Sequence, residues 1–167
     1  MNSSDVKGYR TLYLDIDGVL NSHDWFERAK PTDRRLGHLD PDAVARVQRI
    51  CDATDARITI SSTWRLLHSM SDIRGWLYEK GLRARVSSRT PDRVDLGSRG
   101  EEIEEHLKIA YLFPVQPLGI VILDDDSDMG RLLPWLVKTT FRSGLTDEDV
   151  EKAIRKLREP MPSWLRR

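Results

Sequence analysis

Asp15 and Asp17 stand two residues apart, between the apolar run Tyr13-Leu14 and Gly18, a spacing that can bring two carboxylates to one site. Strand side chains alternate faces, so the pattern predicts both acids on one side at a strand's carboxyl end, with Gly18 letting the chain turn away. In an open α/β sheet that rim is where ligands bind. A lone D-x-D-G is equally a solvated acidic turn, but a second apolar run, Gly119 to Leu123, leads straight into Asp124-Asp125-Asp126-Ser127-Asp128. Carboxylates brought together by two strands raise one another's pKa, and a hard divalent ion such as Mg²⁺ resolves the repulsion.

Other residues between these acidic ends can join them. Ser61-Ser62-Thr63-Trp64-Arg65 follows the β-branched run Arg57 to Ile60. Hydroxyls at a strand-to-helix junction sit where backbone N–H groups and the helix dipole favour an anion, although N-capping by Ser62 or Thr63 accounts for the same residues. Arg99 precedes the helix that leads to the Asp124 strand. It can supply a fixed positive charge to the rim or be a solvated loop arginine. Trp25 and Trp64 can stack a base or be buried.

The elements that must position these residues alternate strand and helix. Residues 10–16 read as a first strand. Asp40-Pro41 reads as an N-cap with Pro at N1, opening a helix in which Val44, Val47, Ile50 and Cys51 share a face. Residues 57–61 form a second strand, 64–80 a helix with a break near Ser71 and a stop at Gly81, and 83–87 a third strand. Residues 101–110 are helical, 119–124 and 136–140 are strands, and Thr146 caps a last helix carrying Val150, Ala153, Ile154 and Leu157. This order predicts an α/β fold with a mostly parallel five-stranded sheet and helices on both faces. Residues 21–39 and 88–98 are irregular, and both are too short to house a further domain.

Composition bounds the function classes. At 167 residues, the chain is expected to be a single domain spanning 1–167. Lys+Arg and Asp+Glu both number 27, so net charge offers no reason to expect a polyanionic partner. Arg outnumbers Lys 20 to 7, which favours bidentate phosphate contacts over point charges. The single cysteine, Cys51, excludes an intrachain disulfide and reads as a buried small hydrophobe. The first ten residues carry no apolar leader, and no run approaches the roughly 18 apolar residues of a membrane span. The expectation is a cytoplasmic protein with no membrane association and no obligate protein partner.

Together these segments resemble the haloacid dehalogenase (HAD) superfamily of phosphohydrolases over nearly the whole chain. DIDGVL resembles its first motif, Ser61 its second, Arg99 its third and VILDDDSD its fourth; Val19 stands where Thr is commoner. More narrowly, SSTWR, RGEEI and ILDDDSDM resemble the small HAD phosphatase domains of RNA-repair proteins and polynucleotide kinase-phosphatases. The resemblance implies Asp15 as nucleophile, Asp17 as acid/base, and Ser61 and Arg99 as holders of the transferring phosphoryl group. Ser62 and Arg65 are the implied substrate contacts. Mg²⁺ would be held by Asp15, the Asp17 backbone carbonyl and Asp124, with Asp125 assisting.

Rival acidic-site readings fail on spacing. An EF-hand loop starting at Asp124 would need Gly and Glu where Met129 and Trp135 stand, and no Walker phosphate loop is present. A receiver-like signalling domain, with Lys138 as its lysine, needs a lone Asp closing a middle strand, yet Arg83-Ala84-Arg85-Val86-Ser87 ends without one. A capless site suits a large phosphorylated substrate such as a nucleic-acid end. The alternatives are nucleotides, small phosphoesters or phosphoprotein, or a non-catalytic HAD-like binding module. Basic residues that could flank a nucleic acid are Arg28, Lys30, Arg34 and Arg35 after the first motif and Arg83, Arg85, Arg89 and Arg93 around the third strand.

Overall fold

Residues 8–30, 32, 38–92, 97–161 and 164 are described in a computed structural model of the chain. Arg34, Arg35 and Arg93 lie outside the described residues.

Five strands, β1 (Gly8–Leu14), β2 (Ala56–Ile60), β3 (Val86–Arg89), β4 (Gln116–Asp124) and β5 (Leu136–Lys138), form one sheet in the order β3-β2-β1-β4-β5. Every neighbouring pair is parallel. Strand alternation divides the core. Leu12, Leu14, Ile58, Ile60, Val121 and Leu123 face one layer, against α2 (Pro41–Thr54), α4 (Met70–Glu79) and α6 (Asp147–Arg158). Tyr13, Ile120 and Ile122 face the other, under α5 (Arg99–Ala110) and a 3₁₀ turn over Gly130–Trp135.

On this second face the sheet also carries polar side chains, which pair internally. The Tyr13 hydroxyl meets His106 Nδ1 at 2.9 Å, Ser88 meets His106 Nε2 at 3.2 Å, and Thr59 meets Ser88 at 2.9 Å. Burial pushes the His106 pKa down, so the imidazole suits this neutral network.

Several elements differ in their bounds from the sequence expectation, the fifth strand ending at Lys138 rather than residue 140 among them, and three show the local reason. The first strand ends at Leu14 rather than residue 16, because the Ile16 carbonyl accepts from the amides of Val19, Leu20 and Asn21 and starts a turn there. The third strand starts at Val86 rather than Arg83, because the Gln48 side chain takes the amides of Arg83 and Ala84. The helix expected over 64–80 is two helices, α3 (Trp64–Leu67) and α4. The break expected near Ser71 is present and falls two residues earlier, at Ser69, since extended Ser69 caps α4 through the Asp72 amide. The first irregular stretch also contains a short helix, α1 (His23–Arg28).

Candidate active site

The parallel register places the site residues in a row. Leu14 is level with Ile60 on β2 and Leu123 on β4, so the next positions, Asp15, Ser61 and Asp124, line up at the carboxyl edge. Pairing continues past the strand ends: Asp15 N donates to the Leu123 carbonyl and Ser61 N to the Leu14 carbonyl, both at 3.0 Å. Asp15, Ser61 and Asp124 are all buried.

Helix α5 brings Arg99 to this row as its first residue. Ser98 caps the helix, with Glu101 completing a capping box. Gly100 lets the helix start press on the loop after β4, where a Cβ would meet the Met129 carbonyl oxygen at 2.4 Å. Arg99 Nη1 then lies 3.3 Å from Asp15 Oδ1 and 3.2 Å from Asp124 Oδ2. Burial works against the charge on Arg99, but the two carboxylates outweigh it and hold its pKa above the ordinary value. Gly18 is required on both counts that favour glycine. Its φ is +72°, and a Cβ there would fall 2.4 Å from the Asp125 carboxylate carbon.

Oxygens of Asp15, Asp124 and Asp125 lie within 4.8 Å of one another. Burial and the Asp15 charge push the Asp124 pKa up to about 7, with Arg99 only partly opposing them. Burial and Asp15 also raise Asp125. Among the described residues, Ser61 Oγ is buried without any partner, and Arg99 Nη1 and Asp124 Oδ2 are buried with only ion-pair contacts inside the cluster. An unpaired buried hydroxyl costs free energy unless something binds it. Three clustered carboxylates balanced by one arginine leave hard acceptor oxygens and negative charge in excess, which fits a hard divalent ion.

This charge balance has a measurable consequence. Asp124 binds its proton more tightly folded, at about 7 against an ordinary 3.8, so the stability this supplies is present below about pH 4 and lost as pH rises towards 7. In EDTA the melting temperature should therefore fall between pH 5 and 7.5. A divalent ion bound to these carboxylates would compete with the proton, so Mg²⁺ should raise Tm more at pH 7.5 than at pH 5. Equal Mg²⁺ shifts at both pH values, or the same pH slope in Asp124→Asn, would contradict this assignment.

The second acid of the first motif is not among the oxygens grouped within 4.8 Å, although its charge adds to those that raise Asp125. Asp17 sits in the turn after β1, so strand alternation does not align it with Asp15. Its Oδ1 accepts from Asn21 Nδ2 at 2.7 Å and its Oδ2 from Trp64 Nε1 at 2.8 Å. Neither Asn21 nor this role for Trp64 was anticipated from sequence, although an Asn closing a tight turn is a recognisable signal.

The two expected substrate contacts are internal instead. Ser62 is fully buried, and its hydroxyl accepts from Trp64 N. Arg65 is 3% exposed. It donates to the carbonyls of Ser61, Ser62, Thr90 and Pro91 and pairs with Glu102 of α5 at 2.6 Å. The guanidinium fork thus ties the ends of β2 and β3 to the helix that carries Arg99. Trp25 is buried, with Nε1 donating to the His38 carbonyl.

Fold and rim together define the class, a Rossmann-like α/β domain of HAD type. The chain belongs to the family described as the HAD domain in Swiss Army Knife RNA repair proteins, which it matches over residues 11–150. It is similar in fold to the HAD domain of effector protein Lem4 from Legionella pneumophila, at a TM-score of 0.55 and 15% identity over 92% of this chain and 98% of that chain. No curated protein matches it. Among the described residues no helix is long and apolar enough to cross a membrane.

Proposed function

We propose that the chain is a phosphatase that removes a terminal phosphate from a nucleic-acid end through an aspartyl-phosphate. The observation that carries this reading is the buried row of Asp15, Ser61 and Asp124 at the sheet's carboxyl edge, with Arg99 paired to both acids and the Ser61 hydroxyl unpartnered. Asp15 attacks phosphorus as the bond to the leaving oxygen breaks, and that oxygen departs with the electron pair and a proton from Asp17. Water then attacks the aspartyl-phosphate and gives its proton to Asp17, freeing phosphate and Asp15. Ser61 donates a hydrogen bond to the transferring group, and Arg99 neutralises its charge. Mg²⁺, which Asp15 and Asp124 would hold with Asp125 beside them, supplies further charge neutralisation when bound.

The nucleic-acid preference is supported by the RNA-repair family and by the lack of a cap-sized insertion. Because Arg65 is internal, salt-sensitive contacts must come from elsewhere. The turn after β5 is one source, since it packs on α1 through the Phe141 and Arg142 carbonyls and leaves Arg142 exposed.

The test is Mg²⁺-dependent phosphate release from 3′- and 5′-phosphorylated oligonucleotides, mononucleotides and a phosphopeptide. An oligonucleotide end should exceed its matching mononucleotide in kcat/KM, through contacts remote from the reacting phosphate, and the advantage should shrink with salt. Equal, salt-independent efficiency on both would retire the nucleic-acid reading, and a preference for the phosphopeptide would replace it.

A further inference from the structure

The Asp17 carboxylate is exposed, yet both its oxygens are held by side chains anchored on separate elements. Asn21 is 3% exposed. Its side-chain and backbone oxygens both accept from Gly18 N at 3.0 Å, and its own amide donates to the Ile16 carbonyl. Trp64 packs against the main core, 5.9 Å from Trp76 at 86° and 5.5 Å from His68. Water would hydrate an exposed carboxylate at no structural cost, so two core-anchored donors restrict its direction rather than solvate it.

We propose that Trp64 and Asn21 are positioning residues that aim Asp17 at the leaving oxygen. This rests on the phosphatase reading above. A general acid needs hydrogen-bond reach to the leaving oxygen, and freedom about its side-chain torsions dilutes that geometry. The Trp64 indole donates to the carboxylate assigned to protonate the leaving oxygen. Its N–H therefore matters most when the leaving group needs a proton.

The test compares Trp64→Phe with wild type on a phosphorylated oligonucleotide and on p-nitrophenyl phosphate, whose leaving group needs little protonation. Phe keeps a ring against Trp76 and His68 but removes the N–H. A hydrogen bond to a charged group predicts about tenfold to a hundredfold greater loss of the single-turnover rate of leaving-group release, the step before the shared dephosphorylation, on the oligonucleotide than on p-nitrophenyl phosphate. In an Asp17→Asn background the same substitution should add no further leaving-group discrimination. A purely structural role would lower both activities together in either background.

If Trp64→Phe fails to fold, Asn21→Ser removes the other donor and must reproduce the pattern. Equal losses on both substrates, or discrimination that persists without Asp17, overturn the inference. Wild-type turnover that survives Asp15→Asn would instead remove the phosphatase reading on which it rests.

Discussion

Asp15→Asn should lose phosphate release by on the order of a thousandfold or more while keeping its fold, as expected when the nucleophile of a cooperating set is removed. The amide is isosteric but cannot form the aspartyl-phosphate. It also removes one of the charges that clamp Arg99 and crowd Asp124. Arg99 keeps Asp124 at 3.2 Å, so its buried charge is not orphaned, and repulsion within the cluster falls. The melting temperature in EDTA should therefore be equal to or above that of wild type, while the Mg²⁺-induced rise in Tm shrinks. Phosphate release and Mg²⁺ thermal shift on one preparation check both parts. Full turnover in the variant would exclude covalent catalysis by Asp15.

The parts of this site that were legible in sequence are those encoded locally. Apolar runs ending in DIDG and DDDSD announce strand ends and their acids within a few residues, and parallel register alone then aligns Asp15, Ser61 and Asp124. The Asp40 and Thr146 caps were legible for the same reason, since capping is a contact over two or three residues. What was not legible depends on distant partners. Arg65 reads as a phosphate contact from its place after Ser61. It is internal because the Thr90 and Pro91 carbonyls and Glu102 converge on it from other segments. Trp64 likewise reads as a stacking or core residue, and only the turn after β1 brings Asp17 to its indole. The third strand was displaced because Gln48, 35 residues from Arg83 in sequence, captures the amides that would have extended it.

Asp17→Asn should separate the two proton transfers assigned to that residue. On an oligonucleotide end the leaving hydroxyl needs a proton, so kcat should fall by about a hundredfold or more, within the usual range for general acid catalysis. On p-nitrophenyl phosphate the first step survives, because the leaving group departs without help. The second step then lacks its base, and aspartyl-phosphate should accumulate. Rapid mixing of the variant with p-nitrophenyl phosphate and Mg²⁺ should give a burst of p-nitrophenol approaching one equivalent per Asp15, followed by slow turnover. Asn21 and Trp64 both donate to the native carboxylate. The Asn amide still offers one of them an oxygen but turns an N–H towards the other, so a modest fall in Tm is also expected. Equal loss on both substrates with no burst would make Asp17 a structural tie between the turn after β1 and α3, leaving the leaving-group proton to another donor.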